Sequence, residues 1–321
     1  MPPFTGKRWG PVSRKQIWIL VQVVFVALAL WFAGRALAGQ WHGVRTALAD
    51  TEPRWSLVTL SVILVLLDYV LLIQVWRAML TAWGEGGKLT LRAAARIWFV
   101  SNLGRYVPGK VWQIATMAVM SQRRGVSPVT ATGASLVVNL ANIASGFVVV
   151  LATGAAVFRS FNDAGPHAGV LVAVILGVGL LLLPFGFRLA APLVARLTRD
   201  RIRLPAIPAQ AIWLAAVGTA AAWVVYGIAF EWFSTALVHR VTGGTALYVA
   251  AFTGSYLVGY LAVFAPGGIV VREYMLATSL TSLGLLTGPE AWLVAIASRL
   301  WLTAIEVAPG LLFLLIPGER S

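Results

Sequence analysis

The chain has no cysteine and only three histidines in 321 residues. Disulfides, thiolate metal sites and cysteine nucleophiles are therefore excluded. The histidines, His42, His167 and His239, lie outside any metal-like spacing. Charge is equally scarce, at 11% of residues with 11 Asp and Glu in all, where a soluble domain carries about 25%. There is no Ser/His/Asp constellation, carboxylate-histidine cluster or phosphate-cradling Gly-Lys-Ser/Thr loop, and no polar segment long enough for a soluble catalytic domain. The sequence thus leads us to expect no enzyme and no cofactor or metal.

What is abundant is hydrocarbon. The chain is 59% hydrophobic with mean hydropathy +0.84, and its apolar residues come in blocks of the roughly 20 residues that cross a bilayer as helix. The net charge of +14 sits in short basic runs flanking those blocks, the pattern of membrane topology and anionic headgroups; nucleic acid is not expected as a partner. The apolar stretch from Ile17 to Ala33 is longer than a signal-peptide core, and Arg35 precedes the only cleavage-like site, Ala36-Leu37-Ala38, so an uncleaved first span is expected.

Six full spans are predicted, at about 17–38, 57–80, 129–157, 168–187, 211–238 and 290–316. Two further apolar regions, about 91–122 and 246–283, are broken near their middles by Pro108-Gly109 and by Pro266-Gly267-Gly268. Proline removes a donor and glycine permits reversal, so each region is predicted to be a re-entrant hairpin of two half-helices. The expected fold is an all-α integral membrane protein, six full transmembrane helices plus two re-entrant helical hairpins, in a single polytopic domain over 1–321. Superposing Pro108-Gly109 on Pro266-Gly267 aligns Tyr106 with Phe264 and Met117 with Met275, which divides the chain into repeats of about 57–157 and 211–316. The odd span between them inverts the second copy. Lys and Arg are retained on the cytoplasmic side. With Lys7, Arg8, Arg14 and Lys15 inside, the basic residues near 88–92, 123–124 and 188–203 also fall inside, so both termini are expected in the cytoplasm of a cell-membrane protein. Full crossing of both hairpins satisfies the charge rule equally; half-helix length favours re-entrance.

The first hairpin places Arg105 and Lys110 on either side of its break, with Asn102, Tyr106 and Gln113 nearby. A bare cation at mid-membrane costs at least about 2.5–3.5 kcal/mol, so these face water, a carboxylate or an anionic ligand. The half-helix after Gly109 adds free N–H groups and the positive end of its dipole. Arg105 suits bidentate phosphate recognition and Lys110 a mobile point charge. The alternative is a cytoplasmic loop whose cations are topological. In the second hairpin, adjacent Arg272 and Glu273 diverge by about 100° on a helix and each needs its own contact. The last span offers Glu306 to Arg272 and Arg299 to Glu273, as substrate site or as a buried network fixing helix register. Asp68 and Glu231 lie inside apolar spans as candidate proton relays; Glu231 is near enough to its span's end to snorkel instead.

The segment Asn102-Leu103-Gly104-Arg105-Tyr106-Val107-Pro108-Gly109-Lys110-Val111-Trp112-Gln113, with Pro266-Gly267-Gly268 and Arg272-Glu273, resembles the flippase-like transmembrane domain of lysylphosphatidylglycerol synthases and its stand-alone relatives. The likeness runs from about residue 15 to 317. It implies lipid translocation: in the fused synthases this domain flips an aminoacylated phospholipid that a separate soluble domain makes. No second domain of that kind is present in this sequence, so the resemblance implies a chain that makes nothing itself. Its partners would be an anionic phospholipid, a polyprenyl phosphate or another lipid-linked substrate, with a lipid-modifying enzyme as supplier. One departure is Ile269-Val270-Val271 before Arg272, where a further small residue is usual. Two other classes remain open at this level, a proton-coupled transporter of a small organic anion and a membrane scaffold for an enzyme. Sequence leaves lipid identity, direction, energy source and oligomeric state undetermined.

Overall fold

A computed structural model describes residues 42–43, 45–46, 49, 52–106, 111–154, 196, 208–239, 242–262, 268 and 270–316. Eight helices are described: α1 (Trp55–Ala82), α2 (Leu91–Asn102), α3 (Val111–Gln122), α4 (Pro128–Thr153), α5 (Ala209–Val238), α6 (Thr245–Leu261), α7 (Val271–Ser282) and α8 (Gly288–Leu315). Among the described residues there is no strand. Four of these helices, α1, α4, α5 and α8, are long and apolar enough to cross a membrane, so the chain is a helical, multi-pass membrane protein. The spans expected at 17–38 and 168–187, and the basic loop at 188–203 apart from residue 196, lie outside the described residues.

The long helices are apolar on every side because they have two solvents, lipid and one another. On α1, Val65, Tyr69, Ile73, Trp76 and Leu80 are buried, while Leu60, Ile63, Leu67 and Val70 are exposed. A soluble helix would set charge on that outer stripe; here both stripes are hydrocarbon. Two helix starts carry side-chain caps. The Thr90 side chain accepts from the Ala93 N–H at 3.2 Å at the head of α2, and Glu290 accepts from the Thr287 N–H at 2.9 Å at the head of α8.

Packing then sets the arrangement. Helices α1 and α5 run antiparallel in the most extensive contact of the bundle: the Arg54 N–H donates to the Ala236 carbonyl at 3.0 Å, and at the other end of the pair Gly218 opposes Val75. α4 packs on α6, and α8 packs on α2. Small residues let backbones approach: Gly146 lies under the Trp223 indole, and a Cβ on Gly227 would come within 2.6 Å of the Val249 Cα. Both broken regions are cinched the same way. A Cβ on Gly104 would meet the Gln113 N at 2.9 Å, and one on Gly268, whose φ is +67°, would meet the Gly259 carbonyl oxygen at 2.6 Å.

We predict that Gly227→Ala destabilises the protein by about 1–3 kcal/mol through overpacking against the α6 backbone, read as a lowered unfolding temperature in detergent. An unchanged unfolding temperature would show that α5 and α6 separate freely.

Candidate functional site

The sequence-predicted residues fall into three places. Asn102 ends α2 and Gln113 begins α3, and the Gln113 Nε2 donates to the Asn102 Oδ1 at 2.6 Å, tying the two arms of the first hairpin together. Arg105 and Tyr106 belong to the single tight turn Leu103–Tyr106 that follows α2. Their side chains, and the tip bearing Pro108, Gly109 and Lys110, lie outside the described residues, as do Pro266 and Gly267 of the second hairpin.

At the second hairpin, Arg272 is 3% exposed. Its guanidinium carbon stands 5.4 Å from the Phe252 ring centroid and 5.3 Å from that of Tyr256, a cation–π arrangement, and Nη2 donates to Ser298 Oγ at 3.3 Å. The expected pairing of Glu273 with Arg299 is present at 3.7 Å. Arg272 and Glu273 also face each other, since the Arg272 Nη1 and Arg299 Nη1 each lie 3.7 Å from the same Glu273 Oε1. Long side chains bend back across the 100° that separates their Cα–Cβ bonds. Glu273 has a second duty: its Oε2 accepts the Val270 N–H at 2.7 Å and so caps α7. Val270 itself has φ +76°, a left-handed conformation that costs a β-branched residue of order 1–3 kcal/mol; it lies within the Ile269-Val270-Val271 stretch noted in the sequence. The predicted partner of Arg272, Glu306, is instead bound by the Tyr69 hydroxyl, which donates to Oε1 at 2.9 Å, and reaches Arg272 only through its field.

Between these places lies a cavity of about 840 Å³, its open mouth included. Every described helix but α7 contributes to its wall. Tyr69, Leu72 and Trp76 come from α1, Trp98 and Asn102 from α2, Gln113, Ile114 and Met117 from α3, Ser135, Asn139 and Asn142 from α4, Trp223 and Tyr226 from α5, Phe252 and Tyr256 from α6, and Glu306 from α8. The wall combines aromatic faces with four carboxamides and one carboxylate, and its described part holds no lysine or arginine. Asn102 is 1% exposed and its Nδ2 has no partner, so it offers an unused donor at the wall. Arg272 sits behind the wall, separated from the cavity by Phe252 and Tyr256. Asp68 is 1% exposed with both carboxylate oxygens unpartnered, next to the lining residue Tyr69. Glu231 is 8% exposed and stands near Tyr248, apart from the Arg272 cluster. Among the described residues, no group of His, Asp and Glu could hold a metal ion.

Sequence reasoning did not single out Tyr69, Trp98, Asn139, Asn142, Tyr226 or Tyr256. Their available signal was polarity inside apolar segments, Asn139 and Asn142 three residues apart on one face and Tyr69 and Tyr226 near the middle of their helices.

A family model described as the lysylphosphatidylglycerol synthase TM region matches residues 19–310. No curated protein matches the chain.

We predict that Glu273→Ala costs about 3–5 kcal/mol, because it uncaps α7 and leaves Arg272 buried without compensation. Arg299→Ala, removing the more exposed partner, should cost about 1 kcal/mol or less. Unfolding temperatures in detergent check both, and equal small shifts would show that the cluster does not hold the hairpin.

Proposed function

We propose, since the chain belongs to the lysylphosphatidylglycerol synthase TM-region family, that it moves an anionic phospholipid or polyprenyl-phosphate lipid between membrane leaflets. The carrying observation is the cavity inside the bundle, built by helices from both halves of the chain, with apolar aromatic walls and an unpartnered Asn102 donor. A lipid headgroup needs a polar berth in the hydrocarbon layer, and its tails need the apolar surface around that berth. Arg105 and Lys110, beside the break of the first hairpin, are the cations assigned to the phosphate. Asn102 and Gln113 supply neutral hydrogen bonds. Arg272, behind the aromatic wall, acts by holding α7 against α6 and α8.

Re-entrance is part of the same reading. α2, α3 and α7 have 12 residues each, about 18 Å of rise, against a hydrocarbon layer of about 30 Å. An inverted repeat is supported by the offset that sets Pro108 on Pro266, which carries α1–α4 onto α5–α8 with bounds agreeing to within four residues. The antiparallel run of α1 and α5 and the reciprocal packing of α4 on α6 and α8 on α2 have the same symmetry. Broken helices meeting at the interface of inverted halves are the plan of many secondary transporters. In this reading both termini face the cytoplasm, the chain forms no covalent bond itself, and a lipid-modifying enzyme supplies its substrate.

The test is transbilayer movement of fluorescent phosphatidylglycerol in proteoliposomes, read by dithionite quenching. Asn102→Leu and Arg105→Ala, folded as judged by unfolding temperature, should each slow movement at least about tenfold, a loss of about 1.4 kcal/mol. A wild-type chain that moves neither this lipid nor a polyprenyl phosphate, yet takes up a small organic anion, would replace the proposal with a solute transporter.

A further inference from the structure

The cavity poses an electrostatic problem for the function proposed above. An anionic headgroup would enter a space whose wall carries Glu306, with a second carboxylate, Asp68, one residue from Tyr69 behind it. Asp68 follows the lining stripe of α1: positions 68, 72 and 76 succeed one another at i, i+4 and i+8, and Leu72 and Trp76 both face the cavity. Both Asp68 oxygens are buried without a hydrogen-bond or ion-pair partner. An ionised carboxylate so placed pays its full desolvation cost, whereas a protonated one does not.

Two tyrosines and a carboxylate of the cavity wall lie near Asp68. The Tyr226 hydroxyl of α5 is within electrostatic reach of Asp68 and Glu306, and the Tyr69 hydroxyl donates to the Glu306 Oε1 at 2.9 Å. Tyr256 of α6 also lies in this field, and beyond it Arg272 of α7 with Glu273 and Arg299. α4 carries no titratable residue. On α2, the ionisable residues are Arg92 and Arg96, and Arg96 donates to the Ile316 carbonyl at 2.8 Å. Among the described residues, then, no cation pairs with Asp68. The offset that sets Pro108 on Pro266 also sets Asp68 on Tyr226, so the two stand at equivalent places on the antiparallel pair α1 and α5.

We infer that Asp68, buried beside the cavity on the lining stripe of α1, is an exchangeable proton site that couples movement of the anionic lipid to the proton gradient. The inference rests on the lipid-translocation reading. The proton comes from water in the cavity that Tyr69 lines. Asp68 holds the proton as a neutral acid while the phosphate occupies the cavity, and releases it when the headgroup leaves. Asp68 alone offers too few ligands for a metal cation's shell, and among the described residues no group of His, Asp and Glu could hold a metal ion.

The experiment uses proteoliposomes with an imposed pH gradient, fluorescent phosphatidylglycerol as probe, and Asp68→Asn as the neutral isostere. With one proton per lipid, a gradient of one pH unit should shift the leaflet distribution by up to about tenfold for the natural chain. Asp68→Asn should still move lipid but respond to no gradient. Lipid movement indifferent to pH in the natural chain, a response retained by Asp68→Asn, or a response to sodium alone would each overturn the coupling while leaving lipid translocation standing. Infrared spectra of the purified protein give a reading independent of transport: the carbonyl stretch of a protonated carboxylic acid at neutral pH, lost in Asp68→Asn. Absence of that band in the natural chain overturns the site, and its presence in a chain that moves no lipid overturns the translocation reading alone.

Discussion

Between α6 and α7 one helix ends and another begins, and the start of α7 is buried, with Arg272 3% and Glu273 9% exposed, so its free backbone groups need a partner from the protein. Glu273 meets that need from one side chain, one oxygen accepting the Val270 N–H and the other facing two guanidinium groups. The rest of the second half follows from this contact. Arg272 is drawn inward over the Phe252 and Tyr256 rings, those rings become the back wall of the cavity, and Arg299 ties the cluster to α8. The left-handed Val270 is the local cost of bringing Glu273 into position.

The first half is held by neutral chemistry. Gln113 and Asn102 join the arms of their hairpin, and Gly104 lets the turn lie directly on the backbone of α3. Across the bundle, the Tyr69–Glu306 hydrogen bond connects the first described long helix to the last. The cavity is thus bounded by polar contacts that span the halves and by aromatic pairs such as Tyr226–Phe252, stacked with centroids 5.9 Å apart. A wall of this kind suits a substrate that is part polar and part apolar.

The four long helices were legible to within a few residues, since hydropathy alone sets a span: about 57–80 was expected where α1 runs Trp55–Ala82, and 211–238 where α5 runs Ala209–Val238. The breaks near Pro108 and Pro266 were legible from proline and glycine. Facing was not. On α1 the lipid stripe and the buried stripe are equally apolar, so nothing in the periodicity tells Leu67 from Tyr69, and the tyrosines of the cavity remained hidden. Charge partners were half legible: Glu273 and Arg299 meet as spacing allowed, but Tyr69, 237 positions earlier in the chain, claims Glu306. A contact at that separation is decided by packing, which a single sequence does not display.

The clamp across the first hairpin has a mechanical consequence. With Gly104 seated on Gln113 and the two carboxamides bonded, α2 and α3 form a lever with a stiff elbow. Bending within it would break the Asn102–Gln113 bond. The outer ends of the pair are joined as well: the Lys88 ammonium, just before α2, donates to the Gly125 carbonyl, just after α3, at 2.8 Å and fastens the base of the lever like a pin.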